Sequence, residues 1–270
     1  MTALASLLRY FGRAWLLNVR AFAQYPYDFA VGTTYALLYQ LVGVGTIYVL
    51  LSRFHRLGGW PLPALLFLFA LRLLSHGVYL LLFRPVKQVP THIRQGTFDR
   101  FLLRPKPPLL QALAIPDPQP GHDLIVGILF FGLTAAMVHL QWTPAHVAVL
   151  LLTIVGGALI AFAVELLVAA TGFWLVDTGE LSWLAMVLEE RYIVYPANIF
   201  AKPLQAAMTF VLPFAFMNFY PAAWLLHETT RGAFLPASAG LLVLPVGLTC
   251  TGLAWLVWLR AVAHYQGAGS

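Results

Sequence analysis

The sequence predicts an all-α integral membrane protein with six transmembrane helices. Of its 270 residues, 60% are hydrophobic and 10% are charged, and the mean hydropathy is +0.80. Soluble domains carry about 25% charged residues, so this chain lacks the polar surface that a water-exposed globule needs. Several apolar runs reach about 20 residues, the length at which a helix crosses a hydrocarbon core about 30 Å thick. Residues 1–270 are therefore interpreted as one transmembrane domain.

Before the first apolar run, residues 3–24 have the pattern of an amphipathic helix. Leu8 and Trp15 supply apolar surface, whereas Arg9 and Arg13 lie on a different side. A helix of this kind lies along the lipid headgroups rather than crossing the bilayer. We therefore expect an N-terminal interfacial helix over this segment.

Five apolar runs are clear candidates for crossings: residues 29–51, 62–83, 124–141, 146–174 and 240–259. The remaining crossing falls within 181–222, where two interpretations stay open. Either 181–200 crosses and 203–222 enters and leaves the membrane on one side, or 181–200 lies on the surface and 203–222 crosses. We favour the first, because Pro203, Pro213 and Pro221 suit a short broken re-entrant hairpin better than an uninterrupted helix.

The basic residues are distributed unevenly between the two sides of these spans. With the N-terminus inside, the inner side carries ten Lys and Arg residues, and the outer side carries only Arg53, Arg56, Lys202 and Arg231. This excess predicts that both termini are cytoplasmic. It also explains the formal charge of +6. Nucleic-acid binding is not expected, because the chain contains no block of Lys and Arg. The expected surroundings are membrane lipid.

The longest polar connection is the loop 84–123, which the charge distribution places in the cytoplasm. Within it, Thr97 has the character of an N-cap, Asp99 complements the positive end of a helix, and Arg104 complements the negative end. Pro105 then stops the helix. The loop therefore contains a predicted helix of about two turns over 97–104.

A helix this short is not stable alone in water, so its apolar side chains must be buried against something. Phe98, Phe101 and Leu102 are those side chains. Two interpretations stay open: the helix packs on the protein's own spans or on lipid, or it docks into a groove of a cytosolic partner.

Two charged residues lie deep within the clear apolar runs, Arg72 in the second and Glu165 in the fourth. Each costs about 2.5–3.5 kcal/mol at the bilayer centre, so a partner or a wet cavity is expected. We interpret them as an intramembrane polar pair that fixes helix packing, with a place on the substrate path as the alternative. Glycines within the spans are expected to allow close helix packing: Gly43, Gly45, Gly156, Gly157 and Gly252.

The sequence lacks the motifs that several kinds of chemistry require. The sequence contains no Gly-Lys pair and hence no Walker A phosphate loop. The single cysteine, Cys250, excludes an intrachain disulfide and any zinc site that needs two thiolates. We therefore predict no catalytic residues, no metal site and no cofactor in this chain.

Three stretches resemble the permeases of bacterial type-2 ATP-binding-cassette exporters. The first runs from Ile93 to Pro105 and contains Gly-Thr-Phe-Asp-Arg-Phe-Leu-Leu-Arg-Pro. The second is Tyr-Pro-Ala-Asn-Ile-Phe at 195–200, and the third is the segment 209–222, which ends Met-Asn-Phe-Tyr-Pro-Ala. Their order and spacing match that family's pattern, and the six-span layout covers almost the whole chain.

The resemblance implies roles for particular residues. The cytoplasmic loop would hold a coupling helix that contacts a partner through Arg94, Gly96, Thr97, Phe98, Asp99, Arg100, Phe101, Leu102, Arg104 and Pro105. The re-entrant element would act as an outer gate through Pro213, Phe216, Asn218 and Pro221.

The implied partners are two copies of an ATP-binding-cassette ATPase, which bind the ATP and Mg, and a second permease. That permease is expected to be a distinct related chain, or otherwise an identical copy. The predicted function is that of a permease subunit in an ATP-driven exporter of a bacterial inner membrane. The alternatives are an ion-driven secondary transporter or channel, with Arg72 and Glu165 as the coupling pair, and an integral-membrane enzyme.

Overall fold

The computed structural model describes Gly12 and residues 26–115, 121–175 and 177–265. Throughout these residues the regular structure is helical, which confirms the predicted all-α class. The α-helices are α1 Pro26–Arg53, α2 Leu62–Phe83, α3 Val89–Arg94, α4 Asp99–Leu102, α5 Pro108–Leu113, α6 His122–Met137, α7 Pro144–Thr171, α8 Gly179–Val187, α9 Lys202–Ala206, α10 Phe219–Leu226 and α11 Val243–Ala263. Apart from Gly12, the predicted interfacial helix over 3–24 lies outside the described residues.

In the described part of the chain, four helical segments are long and apolar enough to cross a membrane: Pro26–Arg53, Leu62–Arg94, Pro144–Thr171 and Ala237–Ala263. The shorter apolar helix α6 has 16 residues. The predicted run 62–83 coincides with α2. The other runs differ from their helices by a few residues at either end, because some first turns are polar and some apolar residues lie in the turns just outside the helices.

The core forms where α2 packs against α6 and α7, and where α7 packs against α11. Phe67, Leu68 and Leu71 of α2 are completely buried. A Cβ atom added at Gly156 of α7 would lie 2.8 Å from the backbone of Val243, so glycine is required for this close approach. Helix α1 is different, because most of its apolar side chains are exposed on the surface of the bundle.

Loops at one end of the bundle are joined by hydrogen bonds between distant segments. The Asn198 side-chain amide donates to the carbonyl oxygens of Gly58, at 2.9 Å, and Arg231, at 3.2 Å. The Trp60 indole N–H donates to the carbonyl oxygen of Thr229 at 3.0 Å. We call this the Trp60 end; it comprises the loops 54–61, 195–202 and 227–236.

Aromatic side chains gather at the opposite end. The Phe98 ring contacts the rings of Phe173, Tyr265 and Trp258, with centroid distances of 5.0, 5.3 and 6.2 Å. These residues come from the loop after α2, the region just beyond α7, and the C-terminal part of α11 and its following residues. We call this the Phe98 end.

Helix α8 and the residues after it run from one end to the other. Gly179 lines a small cavity with Arg94 near the Phe98 end. The α-helix ends at Val187 and continues as a π-helical turn over Leu188–Tyr192. Asn198, farther along the chain, lies at the Trp60 end.

Helices α9 and α10 belong to a bent pair. The arms Lys202–Val211 and Phe214–Leu226 meet at an angle of 75°. Pro213 lies at the break, where its missing N–H and its ring prevent a continuous helix. The pair begins and ends at the Trp60 end, because the Lys202 ammonium binds the carbonyl oxygen of Gly232, and α10 leads directly into 227–236.

Candidate functional site

The loop after α2 is anchored to the spans by Phe98. This side chain is completely buried in the aromatic cluster of the Phe98 end. The neighbouring Phe101 is half-buried, with its ring centroid 5.6 Å from that of Phe98 and 5.4 Å from that of His92. Of the two interpretations of the loop helix, packing on the protein's own spans therefore applies to Phe98.

The predicted role of Thr97 as an N-cap is wrong. The helix of this loop covers only Asp99–Leu102, and no side chain caps it. The backbone N–H groups of Thr97 and Phe98 both donate to the carbonyl oxygen of His92, and the Thr97 hydroxyl donates to the same atom at 3.2 Å. Thr97 therefore closes the turn after α3 and is not available to start the next helix. Gly96 makes this turn possible with a φ of +68°.

The tip of the loop is apolar and exposed, and hydrogen bonds from a buried side chain fix its backbone. Leu102 is 44% exposed and Leu103 is 86% exposed. The buried Gln111 of α5 fixes the backbone beneath them, because its amide nitrogen donates to the carbonyl oxygens of Phe101, at 2.8 Å, and Lys106, at 2.7 Å. The other predicted coupling residues around this tip are also exposed: Arg94, Asp99, Arg100, Arg104 and Pro105.

The predicted pair between Arg72 and Glu165 does not form among the described contacts. The Arg72 guanidinium donates through Nη2 to the Gln40 side-chain oxygen at 3.3 Å, and Glu165 Oε1 lies 3.1 Å from Lys87 Nζ. At about 1.5 Å per residue, Arg72 lies about 17 Å from the end of α2, whereas Glu165 lies only about 9 Å from the end of α7. The two residues differ in depth, so each takes another partner.

Further acidic residues enter this region through the π-helical turn after α8. Glu189 is buried and pairs with Nδ1 of His76, one turn from Arg72 on α2. Glu190 accepts a hydrogen bond of 2.7 Å from the Tyr39 hydroxyl of α1. Turns of π-helix inside helices are frequent at functional sites.

Several of these polar residues, among them Tyr39, His76 and Glu190, line a cavity of about 390 Å³ between α1, α2, α6 and α8, together with Asp123 at the start of α6. Its lining includes Tyr35, Gln40, Arg72, Arg84, His122 and Glu190. Sequence analysis missed Gln40 and the partner role of Lys87. A polar residue within an apolar span, such as Gln40 in α1, is itself a signal of function in membrane helices.

The four predicted gate residues, Pro213, Phe216, Asn218 and Pro221, are all buried in the bent pair. The Asn218 amide nitrogen donates to the carbonyl oxygens of Ile193 and Leu68, which links the pair to the segment after α8 and to α2. Within the described residues, no group of three or more His, Cys, Asp or Glu side chains converges as a metal site would require.

Comparison with known proteins relates the chain to a transporter family. A family model described as ABC-2 family transporter protein matches residues 37–269. No curated protein and no solved structure matches the chain. The matched region contains the loop tip, the intramembrane cavity and the bent pair.

Proposed function

The chain belongs to the ABC-2 family of transporter proteins, and from this we propose that it is the permease subunit of an ATP-driven exporter, forming half of the translocation pathway. The observation that carries the proposal is the exposed apolar tip of the loop after α2. Leu102 and Leu103 face solvent while Phe98 and Gln111 fix the loop to the bundle. Buried apolar anchors inside a polar rim are typical of protein interfaces.

The partner at this tip would be an ATP-binding-cassette ATPase, present in two copies. This chain lacks the Gly-Lys pair of a Walker A loop, so ATP and Mg would be bound by that partner. Closure of the two ATPase copies would push on the loop. The ring contacts around the buried Phe98 would transmit the movement to α7 and α11. The chain itself would carry out no catalytic step.

We further propose six crossings, with 203–222 as a re-entrant element. Gly179 and Asn198 lie at opposite ends of the bundle, which supports a crossing between them. The bent pair starts and ends at the same Trp60 end, which supports a re-entrant element. The Phe98 end would be cytoplasmic, together with both termini, because it carries most of the basic residues. The membrane would be the bacterial inner membrane.

In this orientation, the cavity beside Arg72 extends from mid-membrane toward the cytoplasmic side, and the buried gate residues close the opposite side. A second permease would complete the pathway, as a distinct related chain or otherwise an identical copy. Ion coupling through an Arg72–Glu165 pair has less support, because those two residues bind Gln40 and Lys87 instead. No observation favours an integral-membrane enzyme.

Affinity purification tests this proposal. The tagged chain would be extracted from its native membrane in a mild detergent, and the co-purifying proteins would be identified by mass spectrometry. We expect an ATP-binding-cassette ATPase in stoichiometric amount, and a second permease. Transport by the purified chain alone in vesicles, driven by an ion gradient and without any ATPase, would overturn the proposal.

A further inference from the structure

Arg191 is a charged residue at the middle of a proposed crossing, and its side chain is exposed. At about 1.5 Å per residue, it lies about 18 Å beyond Gly179, which is near the Phe98 end. The contact between Glu190 and Tyr39 gives the same depth, because Tyr39 lies about 20 Å from either end of α1. Arg191 makes no hydrogen bond or ion pair with any described residue.

Lipid does not satisfy an exposed guanidinium group at this depth. The hydrocarbon core is about 30 Å thick, so the headgroups lie about 15 Å from its middle, beyond the reach of an arginine side chain. Charged residues within membrane spans face the protein interior or a water-filled cavity, and they pair with other groups. The surface around Arg191 is therefore expected to be covered by protein.

The neighbours of Arg191 also differ from a lipid-facing surface. Tyr35 and Tyr39 of α1 are 70% and 50% exposed, and Arg191 lies close enough to the Tyr39 hydroxyl for an electrostatic interaction. Tyrosine is usual at the two membrane interfaces, whereas Tyr39 lies at the middle of its helix. By contrast, the large exposed side chains at the middle of α11 are leucines: Leu248, Leu253 and Leu256.

We call this surface the Tyr39 face; it comprises Tyr35, Tyr39 and Val42 of α1 and Glu190 and Arg191 of the π-helical turn. It carries one acid next to one base. Glu190 accepts a hydrogen bond from Tyr39 through one oxygen, and a carboxylate has the capacity to accept more. A two-fold axis brings the same surface of two copies together, so that Arg191 of each copy meets Glu190 of the other. The Tyr39 face is therefore complementary in charge to itself.

From this arrangement we propose that the Tyr39 face binds a second copy of this chain, with Arg191 of each copy paired to Glu190 of the other. The proposal rests on the proposed function and on the crossing between Gly179 and Asn198, and it identifies the second permease as an identical copy. Tyr35 and Tyr39 also line the cavity beside Arg72, so the cavity opens at this interface.

Disulfide cross-linking in the native membrane tests the proposal. In a Cys250→Ala background, the Val42→Cys variant should form on oxidation a dimer of twice the mass of the chain. The matched control is Leu253→Cys on α11, because Leu253 is 58% exposed and Val42 is 70% exposed. This control should stay monomeric. The absence of a dimer at Val42, an equal yield at both positions, or a disulfide to a different protein would each overturn the proposal.

Charge reversal tests the pairing itself, with the Val42→Cys cross-link as the readout. Arg191→Glu places acid opposite acid, and Glu190→Arg places base opposite base. Each variant alone should give about tenfold less dimer or lower, because like charges across an interface are strongly unfavourable. Co-expression of the two variants makes both pairs complementary and should restore the dimer. The control variant Arg53→Glu, at the exposed end of α1, should cross-link as the native chain does.

An unchanged yield in Arg191→Glu would overturn the pairing, as would a failure of co-expression to restore the dimer when both variants fold. If Glu190→Arg does not fold, the exposed Arg191→Glu variant still decides. These measurements need no ATPase. A failed ATPase purification with an intact dimer would therefore count against the proposed function, and recovery of the ATPase with a chain that does not cross-link would overturn only this interface.

Discussion

Glu165 Oε1 lies 3.1 Å from Lys87 Nζ, which joins α7 to the short 3-10 turn after α2. The two ends of this pair have different surroundings: the Glu165 side chain is 5% exposed and the Lys87 side chain is 37% exposed. The carboxylate therefore depends on the ammonium, whereas the ammonium can still reach water.

This asymmetry predicts unequal effects of removing each partner. Lys87→Met should lower the stability by about 1–3 kcal/mol, because it leaves a buried carboxylate unpaired. Glu165→Met should cost less, and the double variant should be more stable than Lys87→Met. Thermal unfolding in detergent, with the exposed Glu180→Gln as control, measures this. Additive losses in the double variant would show that the pair contributes nothing.

Close helix packing at Gly156 gives a second prediction. Gly156→Ala should destabilise the protein by about 1–3 kcal/mol, because the new Cβ would meet the backbone of Val243. A Cβ atom added at Gly252, on α11, would have no described neighbour within 4 Å, so Gly252→Ala is the matched control. It should be neutral or stabilising. Equal unfolding midpoints for the two variants would contradict the packing.

Side-specific labelling tests the topology. In a Cys250→Ala background, cysteines at Ile199 and Arg231 should react with an impermeant thiol reagent in intact cells, and cysteines at Gln95 and Glu180 should not. Ile199 and Arg231 flank the bent pair, so a re-entrant element places both outside. If they label on opposite sides, 203–222 crosses the membrane.

The aromatic anchor of the loop should act on the stability of the permease itself. Phe98→Ala removes a completely buried ring and should cost about 3–5 kcal/mol. Leu103→Ala removes a side chain that is 86% exposed and should leave the unfolding midpoint unchanged. Comparable midpoints for both variants would mean that the loop is not anchored through Phe98.

The sequence predicts well those features that depend on local composition. The run 62–83 coincides with α2, because a long apolar stretch lies between Pro61 and the Arg84-Pro85 pair. The break at Pro213 follows similarly from the chemistry of proline.

Features that depend on depth and neighbours could not be predicted in this way. Arg72 and Glu165 are the deepest charges in the clear apolar runs, but hydropathy does not indicate the depth at which two helices contact each other. Thr97 has the chemistry of an N-cap, but its hydroxyl donates to the carbonyl oxygen of His92 and does not cap the next helix. The five span glycines look alike in sequence, whereas only the packing distinguishes Gly156 from Gly45 and Gly252, which have open space in the described part of the chain.

Recovery of the ATPase by loop-tip variants tests the central claim most directly. The Leu102→Ala/Leu103→Ala double variant should express and unfold like the native chain, because both side chains are exposed. The amount of ATPase that co-purifies with it should fall about tenfold or more, because truncated interface anchors each commonly cost more than about 1 kcal/mol. The control double variant Leu253→Ala/Leu256→Ala, on the exposed face of α11, should retain the full amount. Full recovery of the ATPase with the Leu102/Leu103 variant would contradict docking at this tip.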